Sequence, residues 1–168
     1  QAGDAITTGS HNVAIGRHAL TTEDGHGRNV AIGYYALAAQ DAGADGYNVA
    51  VGMEAGTAVT TGIYNTLIGA KAGDALTTGG RNVAIGYLAL STEDAHGKNI
   101  AIGYQALEDQ NAGADAYNVA IGYQAGLEVT SGTSNTLYGG QVGSALTDGA
   151  NNVAIGRAAL GTAQSDSN

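Results

Sequence analysis

The stretch NVAIG at residues 82–86 decides the fold of this chain, because the same pattern recurs along nearly the whole sequence. Each unit begins with Asn, continues with three mainly apolar residues and ends with Gly. Successive unit starts are spaced by 17, 19, 17 and 17 positions, and this series then repeats, so four units make a 70-residue super-repeat. Residues 12–81 and 82–151 are identical at 43 of 70 positions, which indicates duplication of a four-unit block. The nine units begin at Asn12, Asn29, Asn48, Asn65, Asn82, Asn99, Asn118, Asn135 and Asn152.

The five-residue core predicts a short strand followed by a corner. In Val83-Ala84-Ile85, strand alternation places Val and Ile on one face and Ala on the other. The Gly predicts a tight corner, where φ is positive or another backbone comes close. The Asn predicts a ladder of hydrogen bonds between stacked units. The corner glycines are Gly16, Gly33, Gly52, Gly69, Gly86, Gly103, Gly122, Gly139 and Gly156.

The ninth position of each unit is either Leu or Gly, and the difference is compensated. Units with Gly there carry a large apolar residue three positions later. We therefore expect every coil to keep one large inward residue on its second side, since a missing Leu would leave a cavity costing about 2–5 kcal/mol. The leucines are Leu20, Leu37, Leu90, Leu107 and Leu160; the glycines are Gly56, Gly73, Gly126 and Gly143; the compensating residues are Val59, Leu76, Val129 and Leu146.

These patterns predict an all-β fold, a parallel β-solenoid of about ten 17–19-residue coils that occupies 1–168 as a single domain. Residues 1–11 are the expected partial tenth coil, and the extra residues of the 19-residue coils fall within 38–47 and 108–117. A helical repeat is excluded because glycine corners and β-branched residues at this density break helices. Strands about 4.8 Å apart predict a nine-coil rod roughly 43 Å long.

Composition limits the functions open to such a rod. The chain has 28 Gly, no Pro, no Cys, no Trp and no Phe, so its core must come from Val, Ile, Leu and Ala. A core this thin needs repetition or partner chains to offset the entropy of ordering the backbone. The net charge of −9, with only 6 Lys and Arg, argues against nucleic acid as a partner, and no apolar run is long enough for membrane insertion.

The NVAIG core, as at 82–86 and 118–122, resembles the head repeats of trimeric autotransporter adhesins, the YadA-like β-roll. The strings NVAIGYQAG at 118–126 and NIAIGYQAL at 99–107 also look like repeats of phage tail-fibre shafts. The resemblance implies a left-handed roll and a side-by-side homotrimer, with the small Ala face of the strand allowing close approach of neighbouring chains. Two departures are coils longer than typical head repeats, and Leu67 and Leu137 in place of Ala.

The function that this resemblance implies is structural and adhesive. The chain is expected to be a fragment of a longer trimeric fibre, a phage tail fibre or a bacterial surface adhesin, that positions or contributes to host and receptor binding. The implied location is extracellular, on a virion or a bacterial cell surface. A host-surface glycan or protein receptor is the expected partner besides the homotrimer, and no cofactor is expected.

Four tyrosines are candidate receptor contacts, because they share the position just past the corner and would stack along one edge of the rod. Exposed Tyr suits sugar or protein binding, since its ring gives contact area at low entropic cost. Packing between neighbouring coils or chains is the favoured alternative, because the same position also accepts Arg17, Met53 and Ala70. The four residues are Tyr34, Tyr87, Tyr104 and Tyr123.

His26 and His96 are the weak candidates for a metal site. They lie one super-repeat apart in the matching segments TEDGHG and TEDAHG, each beside a Glu-Asp pair. Three such histidines on a trimer axis could bind a metal, but a solvated turn is favoured because the His occurs once per super-repeat. Asp41, Asp45, Asp109 and Asp115 match no calcium-loop spacing, so turn chemistry is expected there.

No catalytic residue is assigned and the chain is not expected to be an enzyme. A polysaccharide-degrading spike is the least favoured alternative, because Glu54, Glu108 and Glu128 do not recur as a constellation. An ice-binding solenoid is the other alternative, suggested by Thr60-Thr61 and Thr77-Thr78. In other coils the matching positions hold charged or amide residues, such as Gln40-Asp41 and Glu93-Asp94, so a regular column of threonines is interrupted.

Overall fold

A computed structural model of the chain describes residues 1–23 and 25–162. Nine three-residue strands form one parallel sheet in which each strand pairs with the next along the chain. Equivalent residues of consecutive strands are 17 or 19 positions apart, so the chain makes one full coil between one strand and the next. This arrangement is a β-solenoid and confirms the predicted fold class. The strands are β1 (Val13–Ile15), β2 (Val30–Ile32), β3 (Val49–Val51), β4 (Thr66–Ile68), β5 (Val83–Ile85), β6 (Ile100–Ile102), β7 (Val119–Ile121), β8 (Thr136–Tyr138) and β9 (Val153–Ile155).

The strands stack in strict register, so equivalent residues of successive coils form columns along the rod. In β5 and β6, for example, Val83 lies opposite Ile100 and Ala84 opposite Ala101. Eight such pairings join the nine strands, which gives about eight turns. Residues 1–11 contain no strand, although the Gly3 N–H donates to the Ala19 carbonyl at 2.9 Å. Within the described residues no helix is long and apolar enough to cross a bilayer.

The predicted asparagine ladder is confirmed at every step from Asn12 to Asn152. The backbone N–H of each Asn donates to Oδ1 of the Asn one coil earlier, over 2.8–3.1 Å. The amide also closes its own coil, as where Nδ2 of Asn65 donates to the Gly79 carbonyl at 2.9 Å. One side chain therefore satisfies both a buried N–H and a buried carbonyl, which would otherwise be costly to bury.

The corner glycines have the predicted positive φ, and all of them except Gly156 also meet the backbone of the next coil closely. All nine have a positive φ, between 118° and 143°, a region that L side chains rarely adopt. A Cβ on Gly86 would lie 2.2 Å from the carbonyl oxygen of Gly103 in the next coil. The corner therefore requires Gly both for its dihedral angle and for the close approach of stacked backbones.

The strand alternation is present, but its direction differs from the expectation drawn from the resemblance. The Ala side chains point into the coil, and Ala31, Ala84 and Ala101 are completely buried. Val and Ile point outward, where Ile15 remains 58% exposed. The expected small Ala face toward neighbouring chains is therefore wrong. The interior beneath each strand is narrow, because the facing segment of the coil fills it with a second buried Ala and a large aliphatic side chain.

Leu67 and Leu137, which depart from the Ala pattern, fill space inside the solenoid. Both are completely buried. A Cβ on Gly56 would lie 2.6 Å from Cδ1 of Leu67, and one on Gly73 would lie 2.8 Å from its Cδ2. Leu137 has the same relation to Gly126 and Gly143. Leu therefore replaces Ala at these two positions because it fills the space beside the ninth-position glycines, and it does not lie on the outer surface.

The ninth position has positive φ whether it holds Leu or Gly, for example 52° at Leu20 and 58° at Gly56. Gly is favoured by the backbone there, whereas Leu is favoured by the core, and this explains why the two alternate. The predicted large inward residues are confirmed as buried in eight units; Leu160, in the ninth, is only partly buried.

Candidate functional site

The outward face of the sheet is an uncharged apolar strip two residues wide. Its eighteen positions, all described, are the first and third residues of β1 to β9, and fifteen of them are Val or Ile. Thr66, Thr136 and Tyr138 are the exceptions. Ile15 is 58% exposed and Ile68 is 37% exposed. A contiguous apolar surface of this length on a strongly acidic chain is a feature of binding surfaces.

The column just past the corner, which we call the post-corner column, borders one edge of the apolar strip. It contains the four tyrosines predicted as receptor contacts. Tyr87, Tyr104 and Tyr123 stack, with centroid distances of 5.4 and 5.5 Å and interplanar angles of 25° and 14°. Tyr34 packs edge-on against Tyr35 instead, at 4.5 Å.

Packing between neighbouring coils, the favoured alternative for these tyrosines, is therefore present in three of the four. Each ring face is covered by the next ring, so the stack presents ring edges and hydroxyls to solvent. A sugar that stacks on a ring face has access only to the two ends of the stack, at Tyr87 and Tyr123.

A second column, directly before each Asn, borders the other edge of the strip and was not singled out from the sequence. We call it the pre-strand column. Tyr47 and Tyr64 stack at 5.2 Å and 11°, and the Arg28 and Arg81 guanidinium groups lie 5.5 and 5.6 Å from the outer ring centroids. The sequence signal was available, because the residue before Asn is His, Arg, Tyr, Lys, Ser or Asn in all nine units.

The two segments TEDGHG and TEDAHG place a carboxylate inside the solenoid. Glu23 and Glu93 are completely buried, whereas the side chains of His26 and His96, for which a solvated turn was expected, are 37% and 30% exposed. Oε1 of Glu93 accepts the backbone N–H of His96 at 3.1 Å, and Oε1 of Glu23 accepts that of His26 at 2.9 Å. Burial raises the pKa of Glu93, and the His96 N–H partly opposes this by favouring the ionised form.

Three potential metal ligands lie together at each of these turns, and Asp41 is supplied to the first of them by the next coil. The ligand atoms of Glu93, Asp94 and His96 lie within 4.8 Å of one another, as do those of Glu23, His26 and Asp41. Asp24, which was noted beside Glu23, lies outside the described residues. His26 and His96 themselves occupy equivalent places four coils apart.

The longer loops of the 19-residue coils supply anchoring carboxylates. Asp45 accepts the Gly27 N–H at 3.2 Å and Arg28 Nε at 2.6 Å, and Asp115 accepts the Gly97 N–H at 3.1 Å and also Lys98 Nζ. The Lys98 ammonium lowers the pKa of Asp115 below its usual range. These contacts confirm turn chemistry for Asp45 and Asp115, whereas Asp41 belongs to the group around His26.

In the structure, Thr60 stacks against the residue one position after the one with which the sequence pattern had aligned it. The Asp41 N–H donates to the Thr60 carbonyl at 3.0 Å, and the Thr60 N–H donates to that of Thr77 at 2.9 Å. The partner of Thr60 is therefore Asp41 and not Gln40. With Asp41 and Asp94 in the same column, the interruption of the Thr ladder remains.

Comparison of the chain with family models, with curated proteins and with solved structures finds no match.

Proposed function

We propose that this chain is a shaft segment of an extracellular trimeric fibre, on a virion or a bacterial cell surface, that holds a receptor-binding part away from that surface. The observation that carries the proposal is the apolar strip, which leaves mainly Val and Ile side chains on the outer face of the sheet, partly exposed in the middle strands and most exposed in β1 and β9. A single chain has no means of burying it, because the strand side chains that point inward are already packed.

A second and third copy of the same chain offer a matching surface. Their strips have the same rung spacing, so three rods placed side by side can bury their strips around a common axis in closed rotational symmetry. The Val and Ile side chains then supply the larger core that each coil lacks, since burying one such side chain contributes about 1.5–3 kcal/mol. The resemblance implies a side-by-side trimer, and the apolar strip supports the same assembly.

Stiffness is the property that a shaft requires, and continuous bonding between coils favours it. Every coil is joined to the next by strand pairing, by the asparagine ladder and by corner packing. The exposed edges of the tyrosine stack at Tyr87, Tyr104 and Tyr123 are where a glycan or protein receptor would contact the side of such a shaft.

The experiment is a measurement of mass in solution by light scattering coupled to size exclusion, at micromolar concentration. We expect a trimer for the unmodified chain. The double variant Ile32→Lys/Ile102→Lys places charges at equivalent positions of the apolar strip and should yield monomers that keep their β spectrum. The matched control Thr61→Lys/Ser131→Lys, at exposed positions outside the strip and also one super-repeat apart, should remain trimeric. A stable monomer of the unmodified chain would eliminate the proposal.

The ice-binding alternative depends on a regular threonine face. Asp41, Asp94 and Asn111 interrupt the column that contains Thr60, Thr77 and Thr130, which disfavours ordered water along it. Thermal hysteresis separates the two functions, because a fibre shaft has none.

A further inference from the structure

We propose that each super-repeat carries a site for one divalent transition-metal ion such as Zn²⁺, formed by Glu93, Asp94 and His96 in the second block and by Glu23, His26 and Asp41 in the first. We call these two groups the turn sites. The proposal concerns a single chain and is independent of trimer formation.

The first argument is a buried carboxylate beside a buried imidazole nitrogen. Glu93 is completely buried, and its Oε2 makes no hydrogen bond within the described residues. Nδ1 of His96, also buried, makes none there either. Two buried polar atoms that lack hydrogen bonds in the same turn each carry a desolvation cost, and an ion bound between them removes both costs.

The second argument is the spacing of the ligand atoms. Nδ1 of His96 lies 3.5 Å from Oε1 of Glu93, and Nδ1 of His26 lies 3.8 Å from Oε1 of Glu23. Zinc bonds of about 2.0–2.2 Å in a tetrahedral arrangement place neighbouring ligands about 3.4 Å apart. The imidazole nitrogen and the Glu carboxylate are therefore close enough to share one ion, with Oε2 of Glu93, the oxygen without a hydrogen bond, as the available ligand atom.

The third argument is that Glu and His occur together in only two of the coils. The column that contains Glu23 and Glu93 is completely buried from Glu23 to Leu146, and elsewhere in that range it holds Gln or an aliphatic residue. In those other coils the residue three positions later is Gly. Because Gln fills the same volume without charge, packing alone does not require Glu. The other members of the column are Gln40, Val59, Leu76, Gln110, Val129 and Leu146.

The backbone around each turn site is fixed by close packing. A Cβ on Gly97 would collide with the Gly80 carbonyl oxygen, and the Gly97 N–H is held by Asp115 of the next coil. The backbone next to the His is thus held by the preceding and the following coil. One imidazole with two carboxylates favours Zn²⁺ or Mn²⁺ over Ca²⁺, which takes six or more oxygen ligands.

The test is a zinc-binding titration of the tag-free full chain after chelator treatment, by calorimetry and by metal analysis after dialysis. We expect two zinc ions per chain in the unmodified protein, one in Glu23→Gln or Glu93→Gln, and none in the double variant. The substitution copies the residue that Gln40 and Gln110 already provide in the same column, so we expect the fold to survive. Calcium chloride in place of zinc should give no uptake.

The matched control is His11→Asn/His18→Asn, which removes the two histidines outside the turn sites and should still bind two zinc ions. Should the Glu double variant lose its β spectrum, His26→Asn/His96→Asn gives the same measurement at less buried positions. The proposal is overturned if the unmodified chain takes up no zinc, or if zinc uptake is unchanged in the folded Glu or His double variants.

Discussion

At the scale of single residues, the asparagine side chains provide hydrogen-bond partners for backbone groups that the three-residue strands leave unpaired. Oδ1 of Asn82 accepts the buried Asn99 N–H at 3.0 Å, and its Nδ2 donates to the His96 carbonyl at 3.3 Å. The position of these asparagines and their ladder were predicted from spacing alone. Their partners were not, because sequence does not distinguish bonds between amides from bonds between an amide and the backbone.

We expect Asn82→Ala to destabilise the chain by about 1–3 kcal/mol, because it leaves the buried Asn99 N–H without an acceptor. The midpoint of urea unfolding at fixed protein concentration measures the change, with an unchanged denaturant slope. Asn111→Ala removes an exposed amide and should stay within about 0.5 kcal/mol of the unmodified chain. Equal effects of the two variants would contradict this role for the ladder.

The Asp115 carboxyl provides a pH-dependent prediction. Lys98 lowers its pKa in the folded chain, so the pair adds stability that is present above the unfolded pKa and is lost as pH falls through the folded value. Carbon NMR of the Asp115 carboxyl should show titration below the usual range. In Lys98→Gln that titration should move upward, and a titration that does not move would exclude the ion pair as its cause.

At the scale of elements, the sequence predicted nine strands and nine corners at the right residues, but not which strand face is inside. Alternation in Val83-Ala84-Ile85 distinguishes two faces without orienting them. The usual preference for large residues inside fails here, because the interior has room for only a methyl group beneath most strands. Leu67 is accommodated only where glycines on both sides leave space.

We expect Leu67→Ala to destabilise the solenoid by about 2–5 kcal/mol, since Gly56 and Gly73 have no side chains that could refill the cavity. Chemical denaturation measures the loss. Met53→Ala removes a side chain of similar size that is 47% exposed, and we expect a loss below about 1 kcal/mol. A smaller effect at Leu67 than at Met53 would contradict the packing role.

The buried column of Glu23 and Gln40 was missed from the sequence because of an error in register. Glu23 and Gln40 were compared with threonines one residue out of register, so their alignment with the buried Val59 and Leu76 was not seen. The backbone hydrogen bonds between coils determine the register. Where the sequences of neighbouring coils differ most, their residues alone do not reveal which positions are hydrogen-bonded. The turn sites follow from the corrected columns, whereas the pre-strand column is fixed by the Asn positions alone.

At the scale of the whole molecule, the chain is modular in units of four coils. Residues 12–81 and 82–151 repeat not only their strands but also Leu67 with Leu137 and Glu23 with Glu93. A solenoid in which each coil contacts only its neighbours has a stability close to a sum over its junctions. Length can therefore change by a whole block without rearranging the core.

Deletion of residues 82–151 should give a folded chain whose rod is shorter by about 19 Å, four strand spacings. In this variant β4 would pair with β9, and Leu67 would meet Ala154 in place of Ala84. Small-angle scattering measures the length, and circular dichroism measures the fold. Deletion of residues 82–143 removes a non-integral number of coils, so the last coil should fail to pair in register and should add no stability to the first four coils. Equal stability of the two deletion variants would contradict the modular core.

The arrangement of hydrogen bonds between coils also sets how the rod bears tension. A pull along its axis loads all the hydrogen bonds of one coil junction in parallel, those of the strand, the Asn and the turn alike. Successive junctions are arranged in series, so each of them carries the full force. The breaking force is therefore that of the weakest single junction and does not increase with length. Adding blocks extends the reach of the filament at no mechanical disadvantage, provided that each new junction matches the existing ones.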